Sequence, residues 1–186
     1  MSHTVLQVPV PQLEPFVRAR TEHYDPAWLS PDPGFVHAHI TALAPFLPPE
    51  RLDVDALAVV AQIAESTAAF DIDLSVIDTF PNGIIHLVPQ PLTPFRLLTQ
   101  RLWEAFPDCP PYAGQFPDVR PHLTLDARSE PVTETVNQAV TETVTEDSTR
   151  VLLGDLLPVQ CRAERLDLAW YEAQNCRILQ TWRLGG

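Results

Sequence analysis

Two short stretches of the chain repeat one pattern. His39-Ile40-Thr41-Ala42 and His122-Leu123-Thr124-Leu125 are each a histidine, an apolar residue, a threonine and a second apolar residue. In an extended strand, residues i and i+2 point to the same face. His39 and Thr41 therefore project together while Ile40 and Ala42 turn toward a core, and His122 and Thr124 do the same on a second strand. If the two strands lie side by side, two imidazoles and two hydroxyls converge. Imidazoles titrate near neutral pH, so a pair of them suits acid and base work in which one accepts a proton while the other donates. Threonine hydroxyls can bond the non-bridging oxygens of a phosphate held between them. No carboxylate or cysteine cluster accompanies the four residues, so this chemistry requires neither a metal nor a cofactor. The bland alternative is two core histidines with threonine neighbours.

Other residues join the candidate list by sharing a face or by their chemistry. His37 lies on the face of His39 and Thr41, and Arg120 on the face of His122 and Thr124, so both are candidate substrate contacts. Tyr112, Phe116 and Tyr171 are candidates to stack a base at the mouth of a cleft. For each, a plainer reading exists: a strand-end histidine for His37, a surface ion pair for Arg120, ordinary packing for the aromatics. His86, in IIHLVP, reads as a hydrogen-bonded sheet histidine.

The elements that must position these groups are short, because 20 prolines and only 6 glycines punctuate the chain. VLQVPV at 5–10 reads as a strand, followed by an apolar-patterned segment with Leu13, Phe16 and Val17. Residues 35–43 read as a strand carrying the first motif, and 52–69 as a helix with acids in its first turn. Phe70, Ile72, Leu74 and Val76 alternate inward along a further strand, and Pro81-Asn82-Gly83 turns it into a hairpin with 84–88. Thr93-Pro94 has the form of an N-cap and first helical residue for a helix through Phe106. A strand at 120–126 carries the second motif. Ser129 and Pro131 open a helix whose Val132, Val136, Val140 and Val144 form a row, with Thr and Glu on its solvated face. Strands at 165–171 and 177–184 close the chain. Alternating helices and hairpins imply an α+β fold of mostly antiparallel sheet.

Composition removes other classes. The chain has 186 residues, 45% hydrophobic and 19% charged, which suits one unit able to bury its own core. A formal net charge of −12, with all 12 basic residues arginine, disfavours binding to duplex DNA or to an anionic membrane. The absence of lysine excludes a Walker-type phosphate loop and Schiff-base chemistry. Three cysteines without a CxxC spacing imply reduced thiols. No apolar run is long enough to span a bilayer, and the first residues lack the layout of a secretory signal, so the expected location is cytoplasmic.

The paired H-x-T motifs, HITALAPF first and PHLTLDA second, resemble the 2H phosphoesterase superfamily, which includes the bacterial 2′-5′ RNA ligase-like proteins and cyclic phosphodiesterases. The likeness covers most of the chain, with FPNGIIHLVP matching the middle hairpin. It implies a bilobal α+β fold: two pseudo-symmetric lobes of mainly antiparallel sheet with flanking helices and a central cleft, built as a single domain from residues 1–186. It also implies metal-independent hydrolysis, or the reverse ligation, of a 2′,3′-cyclic phosphate, an ADP-ribose 1″,2″-cyclic phosphate or a 2′-5′ linkage. His39 and His122 match the catalytic pair, Thr41 and Thr124 the phosphate-binding hydroxyls. His122 is expected to activate water and His39 to protonate the leaving oxygen, with the exchanged roles still open. The expected partner is a small nucleotide or short RNA terminus, met by a monomer. The competing class is a noncatalytic nucleotide or RNA-end binding protein that uses the same cleft.

Overall fold

The computed structural model describes residues 2–116, 118–128 and 143–185. Among the described residues, eight strands form two four-stranded antiparallel sheets. The first sheet has β1 (His3–Pro9) and β7 (Arg165–Tyr171) at its centre, with β2 (His39–Leu43) beside β1 and β8 (Arg177–Arg183) beside β7. The second has β4 (Ile84–Gln90) and β3 (Phe70–Thr79) at its centre, with β5 (Leu123–Ala127) beside β4 and β6 (Val159–Ala163) beside β3. Helices α1 (Glu14–Tyr24), α2 (Val54–Glu65), α3 (Thr93–Ala105) and α4 (Glu146–Leu153) flank them. The bilobal α+β arrangement read from the sequence is the one observed. No helix among the described residues is long and apolar enough to cross a membrane.

Strand β1 is covered on both faces, whereas β3 keeps one face open, with Asp71, Ser75 and Asp78 exposed between the buried Ile72, Leu74 and Ile77. All but the first residue of β1 are buried, and Leu6 and Val8 join Ile85, Leu87 and Leu123 in one core shared by the two sheets. Helix α3 contributes Phe95, Leu98 and Leu102 to that core, the face its spacing predicts. Burying each such side chain is worth about 1.5–3 kcal/mol. The hairpin turn is also as expected, with Gly83 at φ +89, a conformation that glycine adopts without strain.

Several local expectations are corrected. The segment Phe35–Ala38 is not strand: the Ala38 N–H donates to Glu14 Oε2 at 3.0 Å, and β2 begins only at His39. The second motif strand begins at Leu123 rather than 120, since Pro121 has no N–H to give a ladder. A bulge between Asp73 and Val76 flips the end of β3, so Ile77 is buried and Val76 is exposed. Thr93 lies inside α3, whose cap position is Leu92. The segment after β1 forms the full helix α1, Glu14–Tyr24, and α2 spans Val54–Glu65, opened by Asp53, which accepts from Ala56 N. Strand β6 and helix α4 add to the elements read from the sequence, although the Thr145–Ser148 capping box that opens α4 is visible as residues three apart. The helix expected from Ser129 lies, apart from its last two positions, outside the described residues.

Candidate active site

The motif strands hold equivalent places in their sheets. Each is an edge strand, and each follows a central strand and a helix: β1-α1-β2 in one half and β4-α3-β5 in the other. Opposite Thr41 on the neighbouring strand lies Gln7, and opposite Thr124 lies His86. The helices cross between halves, α3 packing on β2 and α1 on β5. Thr99 of α3 donates to the Ala42 carbonyl at 2.8 Å. Arg20 of α1 grips the buried Asp126 of β5 in two places, Nε to Oδ2 at 2.8 Å and Nη2 to Oδ1 at 2.9 Å, and the Tyr24 hydroxyl donates to the same carboxylate. These ties bring β2 and β5 into contact, and His39, Thr41, His122 and Thr124 line one cavity of about 390 Å³.

Each motif histidine is oriented by the backbone in the same way. The His39 Nδ1–H donates to the His37 carbonyl at 2.7 Å, and the His122 Nδ1–H donates to the Arg120 carbonyl at 2.8 Å. A carbonyl can only accept, so Nδ1 must carry the proton in the neutral ring, and Nε2 is left for a ligand in the cavity. The surroundings then diverge. The Tyr171 hydroxyl lies 3.3 Å from His39 Nδ1 and donates to Gln7 Oε1 at 2.8 Å. His122 sits instead among rings: Phe80 edge-on at 4.9 Å, His86 at 5.4 Å and Tyr112 nearly parallel at 6.3 Å.

These environments disfavour the charged imidazole. Burial, opposed by the His37 carbonyl and reinforced by the neighbouring His122, lowers His39 to about 4. Burial also lowers His122, against the Arg120 carbonyl and with a further push from His86. Burial raises the phenol of Tyr112, while a hydrogen bond with Thr41 opposes the shift. Tyr112 thereby connects the loop before the second motif to the hydroxyl of the first.

The remaining candidates are placed differently from one another. His37 is buried at the cavity wall with both nitrogens engaged: Nδ1 is 2.6 Å from Glu14 Oε1, and Ser30 N–H donates to Nε2 at 3.1 Å. It supports the strand below His39 and has no nitrogen to offer a phosphate. Arg120 is exposed and lies outside the cavity wall, and its carbonyl is what meets His122. Tyr171 lines the cavity as the prop of His39. Tyr112 stacks by His122, and the exposed Phe116 meets Tyr112 edge-on at 5.8 Å. His86 is buried in the sheet, its Nδ1 3.3 Å from the Ile84 carbonyl. Sequence reasoning missed Gln7, Arg20, Tyr24, Trp28 and Asp126. The isolated amide of Gln7 in an apolar strand was a usable signal, whereas nothing local marks Arg20, which meets its partner 106 positions away.

A second cavity, of about 520 Å³, adjoins the first. His39, Thr41 and Tyr171 border both, whereas His122 and Thr124 border only the first.

The sequence profile of the 2′-5′ RNA ligase superfamily matches residues 9–175. Among solved structures, TT0787 of Thermus thermophilus superposes with a TM-score of 0.61 at 20% identity, covering 100% of this chain and 99% of that one. LigT of E. coli complexed with 3′-AMP gives 0.54 at 15% identity, with 100% and 99% covered. A protein described as a phosphoesterase gives 0.55 at 15%, again over 100% and 99%. No curated protein matches by sequence. At these identities the solved structures establish the fold, and the profile, spanning both motifs and nearly all of the chain, establishes the family. The chain belongs to the 2′-5′ RNA ligase superfamily.

Proposed function

We propose that the protein is a metal-independent phosphodiesterase that hydrolyses a 2′,3′-cyclic or 1″,2″-cyclic ribose phosphate, or a 2′-5′ phosphodiester, at a small nucleotide or short RNA terminus in the cytoplasm. One observation carries the reading: two imidazoles, each with Nδ1 tied to a carbonyl two residues back, present Nε2 to one cavity beside two threonine hydroxyls. In this mechanism Thr41 and Thr124 donate to the non-bridging oxygens of the phosphate. His122 takes a proton from the attacking water, and His39 gives one to the leaving ribose oxygen. The negative charge of bound phosphate opposes the burial that depletes both imidazoles of protons in the free protein. His39 borders both cavities and His122 only one, which favours this division of roles. Structures of E. coli LigT hold 3′-AMP, NADP+ and ATP, so nucleotide-sized ligands suit the fold.

The test is turnover with EDTA present of 2′,3′-cyclic AMP, CMP, GMP and UMP and of ADP-ribose 1″,2″-cyclic phosphate, with products resolved by ³¹P NMR. His39→Ala and His122→Ala are each expected to lower kcat by about 10²–10⁴-fold. A requirement for added metal would overturn the mechanism. Saturable binding of a cyclic nucleotide without product would make the protein a binding module.

A further inference from the structure

We propose that Glu14 is the positioning residue that makes His39, rather than His122, the acid of the pair. The inference rests on the phosphodiesterase reading and adds to it the group that separates two histidines on equivalent strands. An acid must hold its proton until the leaving oxygen needs it, so a fixed negative charge close behind one imidazole favours that ring for the role. Glu14 supplies such a charge behind His39. Behind His122 stand the Arg120 carbonyl and the ring of His86 instead.

The carboxylate uses both oxygens on the backbone that leads into β2. Glu14 Oε1 lies 2.6 Å from His37 Nδ1, and the Ala38 N–H donates to Oε2 at 3.0 Å. The Ser30 N–H, 3.1 Å from His37 Nε2, can only donate, so Nε2 accepts and Nδ1 carries the proton given to Glu14. The His37 carbonyl in turn accepts from His39 Nδ1–H at 2.7 Å. A chain of contacts therefore runs from Glu14 through His37 to His39, and each of the three is buried or half-buried. An amide at position 14 could accept through one oxygen only, leaving one of the two donors against an NH₂ group. Glu14 also opens α1, where the free N–H groups of the first turn favour a negative charge.

That charge persists at neutral pH. Burial works against the Glu14 carboxylate, but the bonds from His37 and Ala38 outweigh it and hold the group below its ordinary value. Burial is also the main influence against a charged His39, and the Glu14 carboxylate acts against burial. The other titratable groups around His39 do not supply this. His3, His37 and His122 are imidazoles, and burial keeps the phenols of Tyr24, Tyr112 and Tyr171 protonated. Arg20 and Asp126 are paired with each other, and the exposed Asp25 carboxylate accepts from Ala27 N–H. In the reaction the bond from water oxygen to phosphorus forms as the bond from phosphorus to the leaving ribose oxygen breaks. His122 takes the proton of water, and His39, its charge favoured by Glu14, delivers its own to the leaving oxygen.

The experiment records kcat and KM against pH for 2′,3′-cyclic AMP with EDTA present, for the wild type, Glu14→Gln, Glu14→Asp and a control on the same helix, the exposed Glu22→Gln. Histidine ¹⁵N NMR titrations of the same proteins, with inorganic phosphate present, follow His39 and His122 separately. Glu14→Gln is expected to lower kcat above neutral pH by about ten- to a hundred-fold, with KM changed far less. The basic limb of its kcat profile and its His39 midpoint are expected to move down by about one pH unit, because the protonated ring has lost its anion. Glu14→Asp, which keeps the charge, should return the limb toward its wild-type place, and Glu22→Gln should leave both readouts unmoved. A loss of kcat by the same factor at every pH, with the His39 midpoint in place, would make Glu14 merely structural and overturn the proposal. Equal movement of both histidines would overturn it too, and in either case wild-type turnover leaves the phosphodiesterase standing. Absence of turnover by the wild type removes that activity, and the acid-setting role of Glu14 with it.

Discussion

The two halves of the cleft carry the same four-residue motif on equivalent edge strands, yet they treat their histidines differently. In the first half, His39 is held from below by polar groups, the Tyr171 hydroxyl and behind it Gln7. In the second, His122 is held by the rings of Phe80, His86 and Tyr112. Backbone symmetry aims both imidazoles through the same Nδ1–carbonyl bond, while the packing around them sets how readily each takes a proton. Two similar groups with distinct roles can arise this way, because proton affinity responds to burial and neighbours rather than to strand position.

The sharpest way to break the equivalence is to cut the two crossed ties between halves. Arg20→Ala leaves the buried Asp126 carboxylate without its cation and is expected to cost about 3–5 kcal/mol in urea denaturation. Thr99→Val cuts the neutral tie to Ala42, and about 1 kcal/mol is expected. Equal losses would mean that the halves are joined symmetrically after all.

Next in size is the pH response. His39 is lowered to about 4 in the fold from an ordinary 6.5, so the unfolded chain binds more protons between those values. Stability is therefore expected to be intact above pH 6.5 and to fall by about 3 kcal/mol toward pH 4 from this group alone. His39→Gln should flatten that slope in urea melts recorded across the range, and His122→Gln should flatten it less. A steeper dependence on His122 would reverse the comparison.

Smaller effects sharpen it. Tyr171→Phe leaves Gln7 Oε1 without its donor in a buried site, at an expected cost of about 1–3 kcal/mol. Histidine resonances followed by NMR should show His39 titrating differently in that variant while His122 stays in place. Arg120→Ala is expected to change stability by less than about 0.5 kcal/mol and leave cyclic phosphate turnover nearly as it was, since its backbone carbonyl does the orienting. A large loss of activity would bring the Arg120 side chain back to the phosphate.

The spacing of the two motifs was enough to propose four site residues, because the period of a strand makes i and i+2 neighbours whatever the rest of the chain does. The middle hairpin, the buried face of α3 and the α+β class were legible for the same local reason. Boundaries were less so. Pro121 delays β5, Glu14 captures the backbone of Ala38, and a bulge turns Val76 outward. Each depends on a partner that strand periodicity does not encode.

By itself the sequence determined that the His and Thr of each motif share a face, the absence of lysine and the acidic charge that bounds the choice of partner. Those properties are carried by single residues or by neighbours two to four apart. Only the tertiary structure decided that the two H-x-T faces meet, that Arg20 is spent on Asp126, that His37 has no free nitrogen and that a second cavity opens beside His39. All of these join groups that are far apart in the chain or depend on the shape left between packed elements. Such shapes follow from how the two sheets and their crossed helices pack, and no local pattern specifies them.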